Sequence, residues 1–122
     1  MQVPTDDEFD VMVGWALDSL PDKYTSRMQN VAIVYADQPT AQQRQQLQLR
    51  DNQSLLGLYE GVPLPARGGA TKLLPDKITI FKIPLTMQSA NHQQLQANIR
   101  HTLWHEMSHY FGLDHQRIHE LE

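Results

Sequence analysis

The sequence predicts an α+β domain in which a small mixed sheet of three to four strands packs against an N-terminal helix and a C-terminal helix. Three observations predict it. Helical periodicity is confined to the two ends of the chain, short β-type runs lie between them, and 122 residues at 40% hydrophobic content suffice for one core and not for two. The expectation is therefore a single domain over residues 1–122.

The first element opens at Thr5, which with Glu8 has the spacing of a capping box. Phe9, Met12, Val13, Ala16 and Leu20 then recur at helical intervals until Leu20-Pro21, predicting a helix from about Asp6 to Leu20. Pro21 to Met28 has room for one helical turn. Asn30 to Ala36 is short, β-branched and apolar on both faces, the pattern of a buried strand. Thr40 and Gln43 form a second potential capping box, ahead of a Gln-rich segment, Ala41 to Arg50, that reads as a weak surface helix. Leu55 to Val62 reads as a strand interrupted by Gly57, where a glycine signals a bulge or the close approach of another backbone. Leu64 to Asp76 reads as a loop, and its Arg67-Gly68-Gly69-Ala70 lacks the features of a phosphate-binding loop. Lys77 to Ile83 alternates as a half-buried strand stopped by Pro84.

The last element runs from about Ala90 to Gly112. Leu95, Ile99, Leu103 and Tyr110 share one face, while Trp104, Met107 and Phe111 gather on another, so this helix is central and buried. The remaining sector carries Asn98, His101, Thr102, His105 and His109, and polar groups of that kind inside a domain need partners.

Composition narrows the partners. Ten Lys and Arg against fourteen Asp and Glu leave a net charge of -4, with no basic excess for nucleic acid or anionic membranes. There is no cysteine, so a metal site has to be built from His, Asp or Glu. The acidic N-terminus and the lack of a long apolar run predict a cytoplasmic protein.

Residues 105–115 read His-Glu-Met-Ser-His-Tyr-Phe-Gly-Leu-Asp-His, that is H-E-x-x-H-x-x-G-x-x-H. On a helix, residues four apart are separated by about 40° in projection and about 6 Å along the axis, so His105 and His109 can aim at one ion. Glu106 lies about 100° round from His105, within reach of a water on that ion. Gly112 can end the helix in the left-handed conformation and turn the chain so that His115 supplies a third ligand. Three imidazoles and a water form an open, catalytic type of Zn2+ site, one ion per chain.

The motif resembles that of the zincin metallopeptidases, and its extended form resembles the metzincin signature. The metzincin likeness stops there, because none of the seven residues after His115 is the methionine of their turn. Residues 55–64, 74–81 and 117–121, with the helix-first order, are more similar to a small bacterial zincin-like family of minimal single-domain metallopeptidases. That resemblance implies a sheet beside a C-terminal active-site helix, His105 and His109 as ligands, and Glu106 as general base. Members commonly carry Asp where this chain has His115, and Asp114 is the neighbouring carboxylate alternative. The implied activity is zinc-dependent hydrolysis of a peptide or protein substrate, held as an added strand along the rim from Gly57 to Val62. The alternatives from other classes are a zinc-loaded binding module without proteolysis and a zinc hydrolase of a non-peptide amide. His101 is expected on the helix surface or behind the ligands, His119 in an exposed turn, Tyr59 and Tyr110 in the core, and His92 has no partner in view.

Overall fold

The computed structural model describes residues 1–28, 30–49, 55–61 and 75–112. The expected loop from Leu64 to Asp76 lies almost wholly outside the described residues, as do Asp114, His115 and His119.

Helix α1 (Asp6–Ser19) begins where Thr5 and Glu8 predict. The Thr5 hydroxyl accepts from the Glu8 N–H at 3.2 Å and the Glu8 carboxylate accepts from the Thr5 N–H at 3.0 Å, so two otherwise unpaired donors are satisfied. One helical turn follows, α2 (Asp22–Thr25), and then strand β1 (Val31–Ala36). Helix α3 (Ala41–Gln46) carries the second capping box, Thr40 with Gln43, and buries no residue, as a Gln-rich surface helix should. Strand β2 (Gly57–Glu60) is shorter than its apolar run, and β3 (Asp76–Phe81) is central.

Among the described residues the sheet has three strands in the order β1-β3-β2. β1 runs parallel to β3, with Ile33 opposite Ile78, and β2 runs antiparallel, with Tyr59 opposite Ile78. The sheet is therefore mixed, as expected. β1 is not the fully buried strand its sequence suggests: it occupies an edge and its residues are half-buried, with Val34 exposed at 39%. Apolar residues on both faces fit either position, and only the strand order decides between them.

Pro84 does not simply stop β3. The strand ends at Phe81, and α4 (Lys82–Met87) begins at once with Pro84 as its third residue. In the first turn a backbone N–H has no helical partner to lose, so proline is accommodated there. Lys82, buried at the start of α4, donates to Asp6 at 2.6 Å and lies 3.5 Å from Asp37, tying α4 to α1 and to the end of β1.

Helix α5 (His92–Phe111) is capped by the Asn91 side chain, which accepts from the Gln94 N–H. It ends as predicted at Gly112, whose φ of 70° is left-handed. α1 and α5 cover one face of the sheet. Their core joins Phe9, Met12, Val13 and Ala16 to Ile78 and Ile80 of β3 and to Leu95, Ile99, Leu103, Trp104 and Met107 of α5. Each such side chain removed from water contributes about 1.5–3 kcal/mol, which fixes α5 against β2 and β3.

Candidate metal centre

The C-terminal half of α5 has one flank in the core and the other turned to β2. His105 is half-buried, Glu106 is buried and His109 is exposed, so the three form a gradient from the interior to the surface. One potential ligand atom from each lies within 4.8 Å of the others, a spacing that a single ion can bridge. The imidazole rings of His105 and His109 are 4.8 Å apart between centroids and inclined at 68°, as expected of residues on successive turns.

Glu106 is held from two sides. Its Oε1 accepts from the backbone N–H of Tyr59 at 2.8 Å and lies 3.4 Å from Nδ1 of His109. The Glu106 carboxylate raises the His109 pKa above the ordinary imidazole value, and partial burial opposes that shift. His109 thus has one ring nitrogen facing a carboxylate, the arrangement common to metal-binding imidazoles, whose other nitrogen meets the ion.

Gly57 explains how the edge strand comes so near. A Cβ at this position would lie 2.6 Å from Cγ2 of Thr102 and 3.3 Å from Cγ of Glu106. The sequence predicts a close approach at Gly57; the flank of α5 comes nearest, and the Thr79 backbone carbonyl of β3 would lie 3.3 Å from the same Cβ. Beside this contact is a cavity of about 270 Å³, walled by Leu55, Leu56 and Gly57 on one side and by His101, Thr102, His105 and Glu106 on the other. His101 is exposed, one turn before His105, and lines the cavity without joining the three-residue group. His92 is exposed at the opposite end of α5, thirteen residues and about 20 Å from His105. Tyr110 is fully buried and Tyr59 half-buried, and their rings, with centroids 6.3 Å apart, pack edge to face in the core as expected.

Two participants are missed by sequence reasoning. One is the Tyr59 main-chain N–H, which no side-chain pattern reveals. The other is Asp76, fully buried at the start of β3, whose Oδ2 accepts from the Tyr59 hydroxyl. A carboxylate at the first position of a strand that reads as alternating and half-buried was the available signal.

Residues 28–122 match the model of the zincin-like metallopeptidase family, and the chain belongs to that family. No curated protein matches it. Among solved structures it is similar to a conserved hypothetical protein from Thermo thermophilus, with a TM-score of 0.61 and 18% identity over 88% of this chain and 94% of that one. That likeness is one of fold. No helix among the described residues is long and apolar enough to cross a membrane.

Proposed function

We propose that the protein is a zinc-dependent peptide hydrolase, with His105, His109 and His115 as metal ligands and Glu106 as general base. The observation that supports it is the convergence of the His105, Glu106 and His109 ligand atoms within 4.8 Å, beside a cavity and an edge strand. The donor set suits zinc: imidazole nitrogens with a carboxylate behind one of them. His115 as third ligand rests on the spacing of the motif, in which the left-handed Gly112 closes the helix. When bound, zinc acidifies a coordinated water and polarises the scissile carbonyl.

The chain's own residues do the rest. Both contacts of Glu106 fall on Oε1, leaving Oε2 to take a proton from the attacking water and return it to the leaving amine. The substrate backbone lies along β2, whose outer edge has no strand neighbour among the described residues. The Phe81 N–H donates to the Leu56 carbonyl, so alternation turns the polar groups of Leu56 and Leu58 toward β3 and those of Gly57 and Tyr59 outward. Because Glu106 takes the Tyr59 N–H, Gly57 is the residue that offers both a donor and an acceptor to an added strand. An adjacent substrate side chain enters the cavity between Leu55, Leu56 and Thr102.

Digestion of an unbiased peptide mixture by the zinc-loaded chain, read by mass spectrometry beside Glu106→Gln, tests this. Cleavage by wild type alone is expected. Cleavage by neither protein at full zinc occupancy would sink the peptidase reading.

A further inference from the structure

We propose that Tyr59 and Asp76 are positioning residues for Glu106. Asp76 anchors the Tyr59 hydroxyl, and the anchored tyrosine holds the Glu106 carboxylate through its own main-chain N–H. The inference rests on Glu106 being the general base, and it adds a device outside the motif that sets which carboxylate oxygen does the work.

The observations form one connected path. Asp76 is fully buried, and a buried carboxylate requires strong donors; the Tyr59 phenol is one, in a charge-assisted bond. Space for that carboxylate exists because residue 61 is glycine, since a Cβ there would run into the Asp76 carboxyl group. The Tyr59 ring meets Tyr110 edge to face, one residue beyond His109, so the same side chain spans from β3 to the metal-binding turn of α5. Its N–H then reaches Oε1 of Glu106 at 2.8 Å.

The strand itself would otherwise be a poor support. β2 is four residues long and has one strand neighbour among the described residues, and short edge strands open locally at low cost. The Tyr59 N–H points away from β3, while the Leu58 carbonyl in the same planar peptide faces β3, so the ladder restrains this peptide from one side only. The side-chain anchors on Asp76 and on Tyr110 add to that restraint and limit how far the Tyr59 N–H can swing. A carboxylate held by one oxygen has its other oxygen oriented before substrate arrives, and small errors in such alignment are costly in rate.

The test is amide hydrogen exchange at residue 59 by NMR, on the full chain, for wild type, Tyr59→Phe, Asp76→Asn and Glu106→Ala. Exchange at residue 59 should rise roughly tenfold or more in Glu106→Ala, which removes the acceptor, and about fivefold in Tyr59→Phe, which removes only the hydroxyl. Asp76→Asn keeps an acceptor for the phenol and should fall between wild type and Tyr59→Phe. The Phe81 amide, bonded to Leu56, should stay unchanged in all. In zinc-loaded protein the same Tyr59→Phe change should lower kcat about fivefold to tenfold with KM unaltered. The proposal is overturned if residue 59 exchanges alike in wild type and Tyr59→Phe. It is equally overturned if the Phe81 amide accelerates in step, because the hydroxyl would then support only the fold. Should wild type cleave nothing while the exchange pattern holds, the base assignment fails and the positioning of Glu106 stands.

Discussion

Glu106 faces the His109 imidazole and the Tyr59 amide through the same oxygen, so its replacement separates chemistry from architecture. Glutamine at this position keeps an acceptor for the amide and loses the capacity to take a proton. Glu106→Gln should therefore retain zinc and melting temperature while turnover falls by at least about 100-fold, as measured by peptide cleavage and metal analysis on one sample. Gly57 makes a second prediction at this scale. A methyl group there meets Cγ2 of Thr102 at 2.6 Å, so Gly57→Ala should destabilise the fold by about 1–3 kcal/mol in urea unfolding. Removing that methyl with Thr102→Ser in the same chain should restore most of the loss. A Gly57→Ala protein as stable as wild type would show that α5 and β2 are not in the contact described.

At the scale of elements, the features legible in sequence are those decided within a few residues. Thr5 with Glu8 and Thr40 with Gln43 locate two helix starts because capping involves partners three positions apart. Gly112 locates the end of α5 for the same reason. The motif places His105, Glu106 and His109 together because one helix carries all three. What sequence reading misses is long-range. Tyr59 meets Asp76 across 17 positions and Glu106 across 47, and Lys82 meets Asp6 across 76, distances over which only the folded chain sets the partner. The edge position of β1 and the start of α4 at Lys82 depend likewise on strand order and on packing against α1.

Lys82 supplies the pH prediction for those elements. Its hydrogen bond to Asp6 raises the ammonium pKa above 10.5, with burial opposing and Asp37 assisting. A raised folded pKa means that the stabilisation is complete below pH 10.5 and is lost as pH rises through the raised value. Burial and the nearby Asp10 raise the Tyr35 pKa as well, so its contribution declines in the same alkaline range. Urea unfolding of Lys82→Met should accordingly show a shallower alkaline decline than wild type, with about 1 kcal/mol lost at neutral pH. Identical alkaline slopes for the two proteins would remove Lys82 from the account. At the acid end, the Thr5 backbone N–H holds the Glu8 carboxyl below 4.5. That contribution is present above the ordinary value and is lost as pH falls through the lowered one.

For the molecule as a whole, the centre lies where the longest helix meets the edge of the sheet, and the surrounding core holds both in place. A ligand that binds only the folded chain stabilises it in proportion to its excess, by about 4 kcal/mol at a thousandfold excess over Kd. Chelation should then lower the melting temperature without abolishing folding, since thirteen buried apolar residues form a core that includes no metal ligand among the described residues. A chain that loses all cooperative unfolding in chelator would instead have a structural metal.

Zinc content decides whether α5 carries a metal centre. Full-length wild type, Glu106→Gln and the double variant His105→Ala/His109→Ala would be equilibrated with zinc at neutral pH, desalted, and analysed for metal per chain. One zinc in each of the first two and none in the third is the predicted result. Zinc retained at full occupancy by the double variant, or refused by wild type, would contradict a metal centre built on α5.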